Sequence, residues 1–278
     1  TTLTYTVTDA NGCTASVSYS MTVNAIPVVA AINGNTEVCD GSTTALTNAT
    51  TGGVWSTSDN TIASVDANGL VTGEADGTAT ITYTVTTNNC TSIAQAIVNV
   101  NALPTLAAIG GTASACIGSS TTLTNSTSGG VWTSSNTAVA TVNTITGNVT
   151  GVTAGSSTIT YTYTNSNGCT SSVTRVVTIN ALPSAGTISG ANAVCAGATT
   201  TLTPSVSGGV WSTANTATAS INSSGVVTGV AAGSTTLTYT VTDANGCTAS
   251  VSSSITVNAI PQVAAISGTT EVCVGLTT

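Results

Sequence analysis

The chain has 278 residues, 41% of them hydrophobic and only 4% charged, with a net charge of −8 and Arg175 as its one basic side chain. An acidic surface with a single base cannot neutralise phosphates, which excludes nucleic acid and anionic lipid as partners. The apolar fraction argues against disorder, while the longest apolar runs, such as Val28–Ile32, are far too short to cross a membrane.

The first stretch, Leu3–Pro27, reads as a β-hairpin followed by a joint. Leu3, Tyr5 and Val7 alternate with Thr4, Thr6 and Thr8, the period of two of a half-buried strand. Asn11-Gly12 supplies the positive-φ residues of a tight turn. Asn24-Ala25-Ile26-Pro27 then stops the sheet, because proline has no amide hydrogen. The unit returns at Ile81–Pro104, Ile159–Pro183 and Leu237–Pro261.

The repeat can be measured by subtraction. Cys13, Cys90, Cys169 and Cys247 lie 77, 79 and 78 residues apart; Cys39, Cys116, Cys195 and Cys273 give the same intervals. Trp55, Trp132 and Trp211 give 77 and 79, so the period is about 78 residues. Residues 1–44 match 235–278 without a gap at all but seven positions, an offset of 234 residues or three periods. Such near-identity predicts recent duplication and a parent array longer than this chain. The expected organisation is the C-terminal hairpin of one repeat (1–24), complete repeats at 25–101, 102–180 and 181–258, and the N-terminal part of another (259–278). Pro27, Pro104, Pro183 and Pro261 mark the joints. No signal peptide is visible, as expected of an internal segment.

Within 25–101, strands are expected at Val28–Ile32, Thr36–Cys39, Thr43–Ala49, Val54–Thr57, Ile62–Val65, Leu70–Gly73, Thr78–Thr86 and Thr91–Val100. Ala45 and Leu46 are both placed near the core. Short strands with turn signals every eight to twelve residues or so, and no helical periodicity, predict an all-β sandwich.

At this point a resemblance appears. GVWSTSDNTIASVDANGLVTGEADGTATITYTV (Gly53–Val85) resembles the bacterial immunoglobulin-like domain of group 2. That family's pattern is Trp followed by Ser/Thr, an Ala–Val strand, G-hydrophobic-V-T-G, then G-T-A-T-I-T. VWTSSNTAVATVNTITGNVTGVTAGSSTITYTY and VWSTANTATASINSSGVVTGVAAGSTTLTYTV carry it in the other copies. The cysteines, in VCDG and NGCT, are not general in that family. They resemble the cysteine-bearing repeats of long surface and gliding-motility adhesins of Bacteroidota-type bacteria. The resemblance implies a tandem array of immunoglobulin-like β-sandwiches, a secreted cell-surface stalk and no catalysis within the repeat.

Eight cysteines at fixed spacings, with no CxxC pair and no His, point to disulfides rather than zinc and to a compartment outside a reducing cytosol. From Pro27 to Cys39 the chain runs about twelve residues, at ~3.3 Å each nearly the height of a sandwich, which puts Cys39 at the bottom. Cys90 heads the last descending strand, at the top. A bond between them would have to span roughly 30 Å, whereas a disulfide needs Cα atoms within about 7 Å. The expected bridges join neighbours, Cys39 with Cys169 and Cys116 with Cys247. Cys13, Cys90, Cys195 and Cys273 are left for repeats outside this sequence. Intradomain Cys39–Cys90 pairing and pairing between chains remain alternatives, since spacing alone does not fix connectivity.

Trp55, Trp132 and Trp211 each follow Gly-Gly-Val and read as core rather than as sugar platforms. Asp40, Asp59, Asp66, Glu74 and Asp76 could ligate calcium, but they do not recur from copy to copy and read as turn formers. Asn143 or Thr144, and Ser223, stand near the place of Asp66. Arg175, matched by Tyr19, Ala96 and Ser253, is assigned no role. Sequons at Asn48, Asn89, Asn125, Asn148 and Asn222 are expected by chance in so Asn- and Thr-rich a chain. With no His, no Lys and nothing to activate Ser or Thr, no catalytic, metal or cofactor site is expected. The expected function is a non-catalytic, disulfide-stiffened stalk on a bacterial cell surface, partnered by neighbouring repeats of the same chain. A carbohydrate- or protein-binding repeat and a fibre of parallel chains are the alternatives.

Overall fold

The computed structural model describes residues 1–268, 271 and 273–275, and its 26 regular elements are all strands. The chain opens with an antiparallel hairpin, β1 (Thr2–Thr8) and β2 (Thr14–Ser20), which forms a sheet of its own. Next come β3 (Ile32–Gly34), β4 (Glu37–Cys39), β5 (Thr43–Asn48), β6 (Val54–Thr57), β7 (Ala63–Val65), β8 (Leu70–Gly73), β9 (Gly77–Thr87) and β10 (Cys90–Asn101). They build two four-stranded sheets, ordered β3-β5-β8-β7 and β4-β10-β9-β6.

The plan recurs twice. β11 (Gly110–Gly111), β12 (Ser114–Cys116), β13 (Ser120–Thr124), β14 (Val131–Ser134), β15 (Ala140–Val142), β16 (Asn148–Gly151), β17 (Gly155–Thr164) and β18 (Thr170–Asn180) give β11-β13-β16-β15 and β12-β18-β17-β14. β19 (Ile188–Gly190), β20 (Ala193–Cys195), β21 (Thr199–Pro204), β22 (Val210–Thr213), β23 (Ala219–Ile221), β24 (Val226–Gly229), β25 (Gly233–Thr242) and β26 (Thr248–Asn258) give β19-β21-β24-β23 and β20-β26-β25-β22. Two four-stranded sheets, one centred on a long hairpin, make each of these an immunoglobulin-like sandwich, in keeping with the all-β tandem array read from the sequence. Two compact units divide the chain: residues 1–108, 125–131 and 161–173, and residues 109–124, 132–160 and 174 onward.

Strand β9 shows how sequence becomes core. Ala79, Ile81, Tyr83 and Val85 are buried while the threonines between them face away, the alternation of a strand with one wet face. Ala79 and Ile81 join Val38, Leu46, Ala63, Val71, Val98 and Val100 in the core of the first complete repeat. Val194, Leu202, Trp211, Val227, Leu237, Tyr239 and Ile255 do the same in the third. Each of the larger side chains stabilises by about 1.5–3 kcal/mol on burial. The turn into β8 depends on Gly69, whose φ is 86° and where a Cβ would lie 2.3 Å from the Leu46 carbonyl; only glycine fits there.

Three local expectations are corrected. Val28–Ile32 is not a strand until Ile32, and Val28 is exposed. The backbone there is satisfied by side chains instead of a ladder: Ala30 N donates to Thr50 Oγ1 at 3.0 Å, and Asn48 Nδ2 donates to Ala30 O at 2.7 Å. Leu46 is fully buried but Ala45 faces solvent, because adjacent strand residues point to opposite faces. Leu3, Tyr5 and Val7 are exposed rather than half-buried, since among the described residues no second sheet covers β1 and β2.

Candidate functional site

In every complete repeat a three-residue strand ending in cysteine lies parallel to the end of the long hairpin strand. Cys39 stands opposite Asn101, Cys116 opposite Asn180 and Cys195 opposite Asn258. The next amide closes the register: Asp40 N donates to Asn101 O at 3.0 Å, Ile117 N to Asn180 O at 3.0 Å and Ala196 N to Asn258 O at 2.9 Å. These cysteines therefore sit at the end of the sandwich where the chain leaves through Asn-Ala-Leu/Ile-Pro. Cys90 begins the same strand that Asn101 ends, 12 residues long, so at ~3.3 Å per residue it stands roughly 36 Å from Cys39.

The other cysteines follow the hairpin turns. Asn165 Oδ1 accepts from Asn167 N and Cys169 N, both at 3.0 Å. Asp243 Oδ1 does the same for Asn245 N at 2.9 Å and Cys247 N at 2.8 Å. Asp9 repeats it with Asn11 N and Cys13 N, at 2.9 Å each. A side-chain oxygen capping amides two and four residues on holds the cysteine backbone in one orientation. The copy before Cys90 is a residue shorter and turns through Asn88 and Asn89 at φ of 49° and 64°, a conformation that asparagine tolerates.

The turns are anchored to the preceding joint. Asn167 Nδ2 donates to Asn101 Oδ1 at 2.9 Å and Asn165 Nδ2 to Ala102 O at 3.3 Å. At the earlier joint Asn24 Nδ2 donates to Asn88 O at 3.1 Å, and the Cys90 thiol to Asn24 O at 3.7 Å. Asn24 and Asn101, read from sequence only as part of the sheet stop, here also meet the next repeat's turn.

Cys39 and Cys169 are bonded, S–S 1.98 Å with Cα atoms 5.6 Å apart; Cys116 and Cys247 are bonded at 2.02 Å, also with 5.6 Å between Cα atoms. Each bond joins the strand-end cysteine of one repeat to the hairpin cysteine of the next. The first lies wholly within one compact unit and the second wholly within the other. Cys169 and Cys247 are fully buried. Cys13, Cys195 and Cys273 are exposed free thiols, and Cys90 is a half-buried one.

Trp132 and Trp211 are buried, whereas Trp55 is half-buried against its repeat's core. The Trp211 ring centroid lies 4.9 Å from that of Tyr239, and Trp55 lies 4.7 Å from Tyr83. Pro27, Pro104 and Pro183 lie between strands, and Pro261 follows β26.

The carboxylates act locally. Glu37 accepts from Asn99 Nδ2 at 2.6 Å and Asn101 Nδ2 at 2.8 Å, and these bonds hold its pKa below the usual range. The Thr61 hydroxyl, then the Thr61 amide, lower that of Asp59; the Leu70 amide foremost lowers that of Asp66. The structural counterparts of Asp66 are Asn143 and Asn222, not Ser223: their Oδ1 atoms cap Ile145 N and Thr146 N, and Ser224 N and Val226 N. An amide oxygen serves the turn as well as a carboxylate does. Among the described residues no group of three or more His, Cys, Asp or Glu is placed to hold a metal ion. Arg175, given no role from the sequence, donates from Nη1 to Ile109 O at 2.6 Å and ties β18 to the segment before β11.

The fold and junction chemistry define a tandem array of immunoglobulin-like sandwiches joined by disulfides between successive repeats. The bacterial Ig-like domain (group 2) matches residues 20–94 and 99–173, more than half the chain, and the chain belongs to that family. No curated protein matches it. Solved structures similar to it include domains 1–6 of the surface layer protein SbsC, at 19% identity over 95% of this chain and 45% of that one, TM-score 0.26. The chain thus spans less than half the length of that protein. A Ca2+-stabilized adhesin with which an Antarctic bacterium binds ice aligns at 15% identity over 92% of this chain and 81% of that one, TM-score 0.37. Invasin, a bacterial integrin-binding protein, aligns at 16% over 92% and 72%, TM-score 0.35. No helix among the described residues is long and apolar enough to cross a membrane.

Proposed function

We propose that this chain is part of a non-catalytic, extracellular stalk of a bacterial surface adhesin or filament, which carries a distal adhesive tip away from the cell. The observation that supports this reading is the connectivity of the two bridges, each running from a strand-end cysteine to the hairpin cysteine of the following repeat. A bond at that place restrains bending and swivelling at the proline joint. Each closes a loop of about 130 residues, worth about 5 kcal/mol by the chain-entropy argument. Cys195 has the register of Cys39 and Cys116, and Cys90 and Cys13 occupy the hairpin place of Cys169 and Cys247. With Cys273, they pair in the same way with further copies of the repeat. The outer face of threonine, serine and asparagine keeps such a stalk soluble with few charges.

Negative-stain imaging with and without reductant tests the reading. Oxidised material is expected as single threads with narrow angles between beads, and reduction is expected to widen those angles. Equal angles in both, or a Cys39–Cys90 peptide in a non-reducing digest, would sink it.

A further inference from the structure

Strand β4 is held on β10 by Asn99 N, which donates to Thr36 O at 2.8 Å, and by Asp40 N, which donates to Asn101 O at 3.0 Å. In that register Glu37 stands directly opposite Asn99. Both carboxylate oxygens are engaged: Oε1 accepts from Asn99 Nδ2 at 2.6 Å and Oε2 from Asn101 Nδ2 at 2.8 Å. An ionised carboxylate only accepts, so it fixes which end of the Asn101 amide turns toward it. The nitrogen faces Glu37 and leaves Oδ1 for the joint, where Asn167 Nδ2 donates at 2.9 Å. Donors therefore run one way, from Asn167 to Asn101 to Glu37, from the hairpin turn of one repeat to the strand end of the repeat before it.

In the other complete repeats Ser114 holds this place, opposite Thr178, and Ala193 does so opposite Thr256; neither is a carboxylate. The elements against Glu37 are β10, which brings Asn99 and Asn101, and beyond Asn101 the β17–β18 turn, which brings Asn165 and Asn167. None of these titrates. The nearby carboxylates are Asp40, in the turn after β4, and Glu74, after β8, whose Oε1 accepts from Ser64 Oγ at 2.7 Å. The one base, Arg175, is engaged with Ile109 O.

We propose that Glu37 is the positioning residue of this joint: its carboxylate sets the direction of the amide chain, and protonating it frees Asn167 and loosens the first complete repeat's hold on the turn of the second. A protonated carboxyl carries an O–H, which meets a donor where Asn99 or Asn101 also presents one. Turning the Asn101 amide over to relieve that conflict sets Asn101 and Asn167 nitrogen to nitrogen, and their bond is lost. The amides of Asn99 and then Asn101 hold the Glu37 pKa low. The chain of bonds is thus intact above the usual carboxylate range, about pH 4, and is lost as pH falls through the lowered value. The Cys39–Cys169 bond stays closed throughout, so the joint loosens without parting. This holds whether or not the array serves as a stalk.

The test follows the side-chain amide signals of Asn99, Asn101 and Asn167 by heteronuclear NMR of the oxidised full chain as it is acidified. All three are expected to shift with one midpoint. Glu37→Gln is expected to abolish that titration. At neutral pH it should also speed reduction of Cys39–Cys169 by a phosphine, relative to Cys116–Cys247, roughly two- to tenfold. Adding Asn101→Asp moves the carboxylate one place along, where it accepts from the new glutamine and from Asn167, and is expected to restore slow reduction. Glu37 is exposed, so these changes leave the core intact. An Asn167 signal that stays still while Asn99 and Asn101 titrate overturns the proposal. So does a Glu37→Gln chain reduced at the wild-type rate, or a double variant reduced as fast as the single one.

Discussion

Tyr83 Oη accepts a hydrogen bond from Gly53 N at 2.8 Å and donates one to Thr50 O at 2.8 Å. A Cβ on Gly53 would lie 2.4 Å from the Tyr83 ring, so the second glycine of Gly-Gly-Val-Trp is there for close approach. Gly52 is there for its φ of 80°, with open space where a Cβ would go. Gly53→Ala is expected to cost about 1–3 kcal/mol by overpacking, and Gly52→Ala about 1–2 kcal/mol by backbone strain alone. Tyr83→Phe should cost about 1–3 kcal/mol by orphaning an amide. Thermal unfolding of the three variants checks the ranking. A crystal structure of Gly53→Ala should show the ring displaced.

Thiol chemistry should sort the cysteines by place. Cys13, Cys195 and Cys273 are exposed and should alkylate within the mixing time of native protein, with the half-buried Cys90 slower. The bridged four should not react, and buried Cys169 and Cys247 should make the bonds slow to reduce until the junction opens. Mass spectrometry of tryptic and chymotryptic peptides against time reads each site.

Removing one bridge should be costly and local. Cys39→Ser with Cys169→Ser is expected to lower the stability of the two repeats it joins by up to about 5 kcal/mol. Cys195→Ser, which removes an exposed free thiol, should change almost nothing. Urea unfolding followed by site-resolved hydrogen exchange separates the repeats, which a single global midpoint does not.

Acid should loosen the first complete repeat before the others. Glu37, Asp59 and Asp66 have folded-state pKa values below their ordinary ones. Their contribution is therefore present above the usual carboxylate range, about pH 4, and is lost as pH falls through the lowered values. Their counterparts are Ser114 and Ala193, Asn136 and Asn215, and Asn143 and Asn222, none of which titrates. Exchange rates of β4 and β8, compared with β12, β16, β20 and β24 between pH 2 and 5 and corrected for intrinsic rates, should diverge. Equal loss in all three repeats would contradict the assignment.

Trypsin has one site to attack. Arg175 is the only Lys or Arg in the chain, half-buried within β18, with its guanidinium on the Ile109 carbonyl. Native protein should resist trypsin under conditions that cut the reduced, unfolded chain after Arg175. Arg175→Lys, which keeps the charge but loses the planar fork, should be cut faster in the native state.

The repeat, the sandwich and the hairpins were legible because glycine, asparagine and alternating threonine act locally. Ala30 was not, because the side chains of Asn48 and Thr50, from a different strand and turn, take the place of its ladder. Ala45 and Leu46 are adjacent on β5 and point to opposite faces, so of the two only Leu46 reaches the core. Arg175 escaped notice because its matches Tyr19, Ala96 and Ser253 share no chemistry, and its partner is a backbone carbonyl 66 residues earlier. At the junctions an asparagine stands three residues before each joint proline, Asn101 before Pro104 among them. The bond between Asn101 and Asn167 depends on two repeats meeting, which no single repeat's pattern encodes.

The two covalent loops, 39–169 and 116–247, overlap. A single break in the backbone anywhere from Cys39 to Cys247 therefore frees no piece, and from Cys116 to Cys169 two bonds span the gap. Even a cut after Arg175 leaves both halves attached until a reductant arrives. Strung in this way, the chain is spliced like a rope, and hydrolytic damage at one point between Cys39 and Cys247 does not part it.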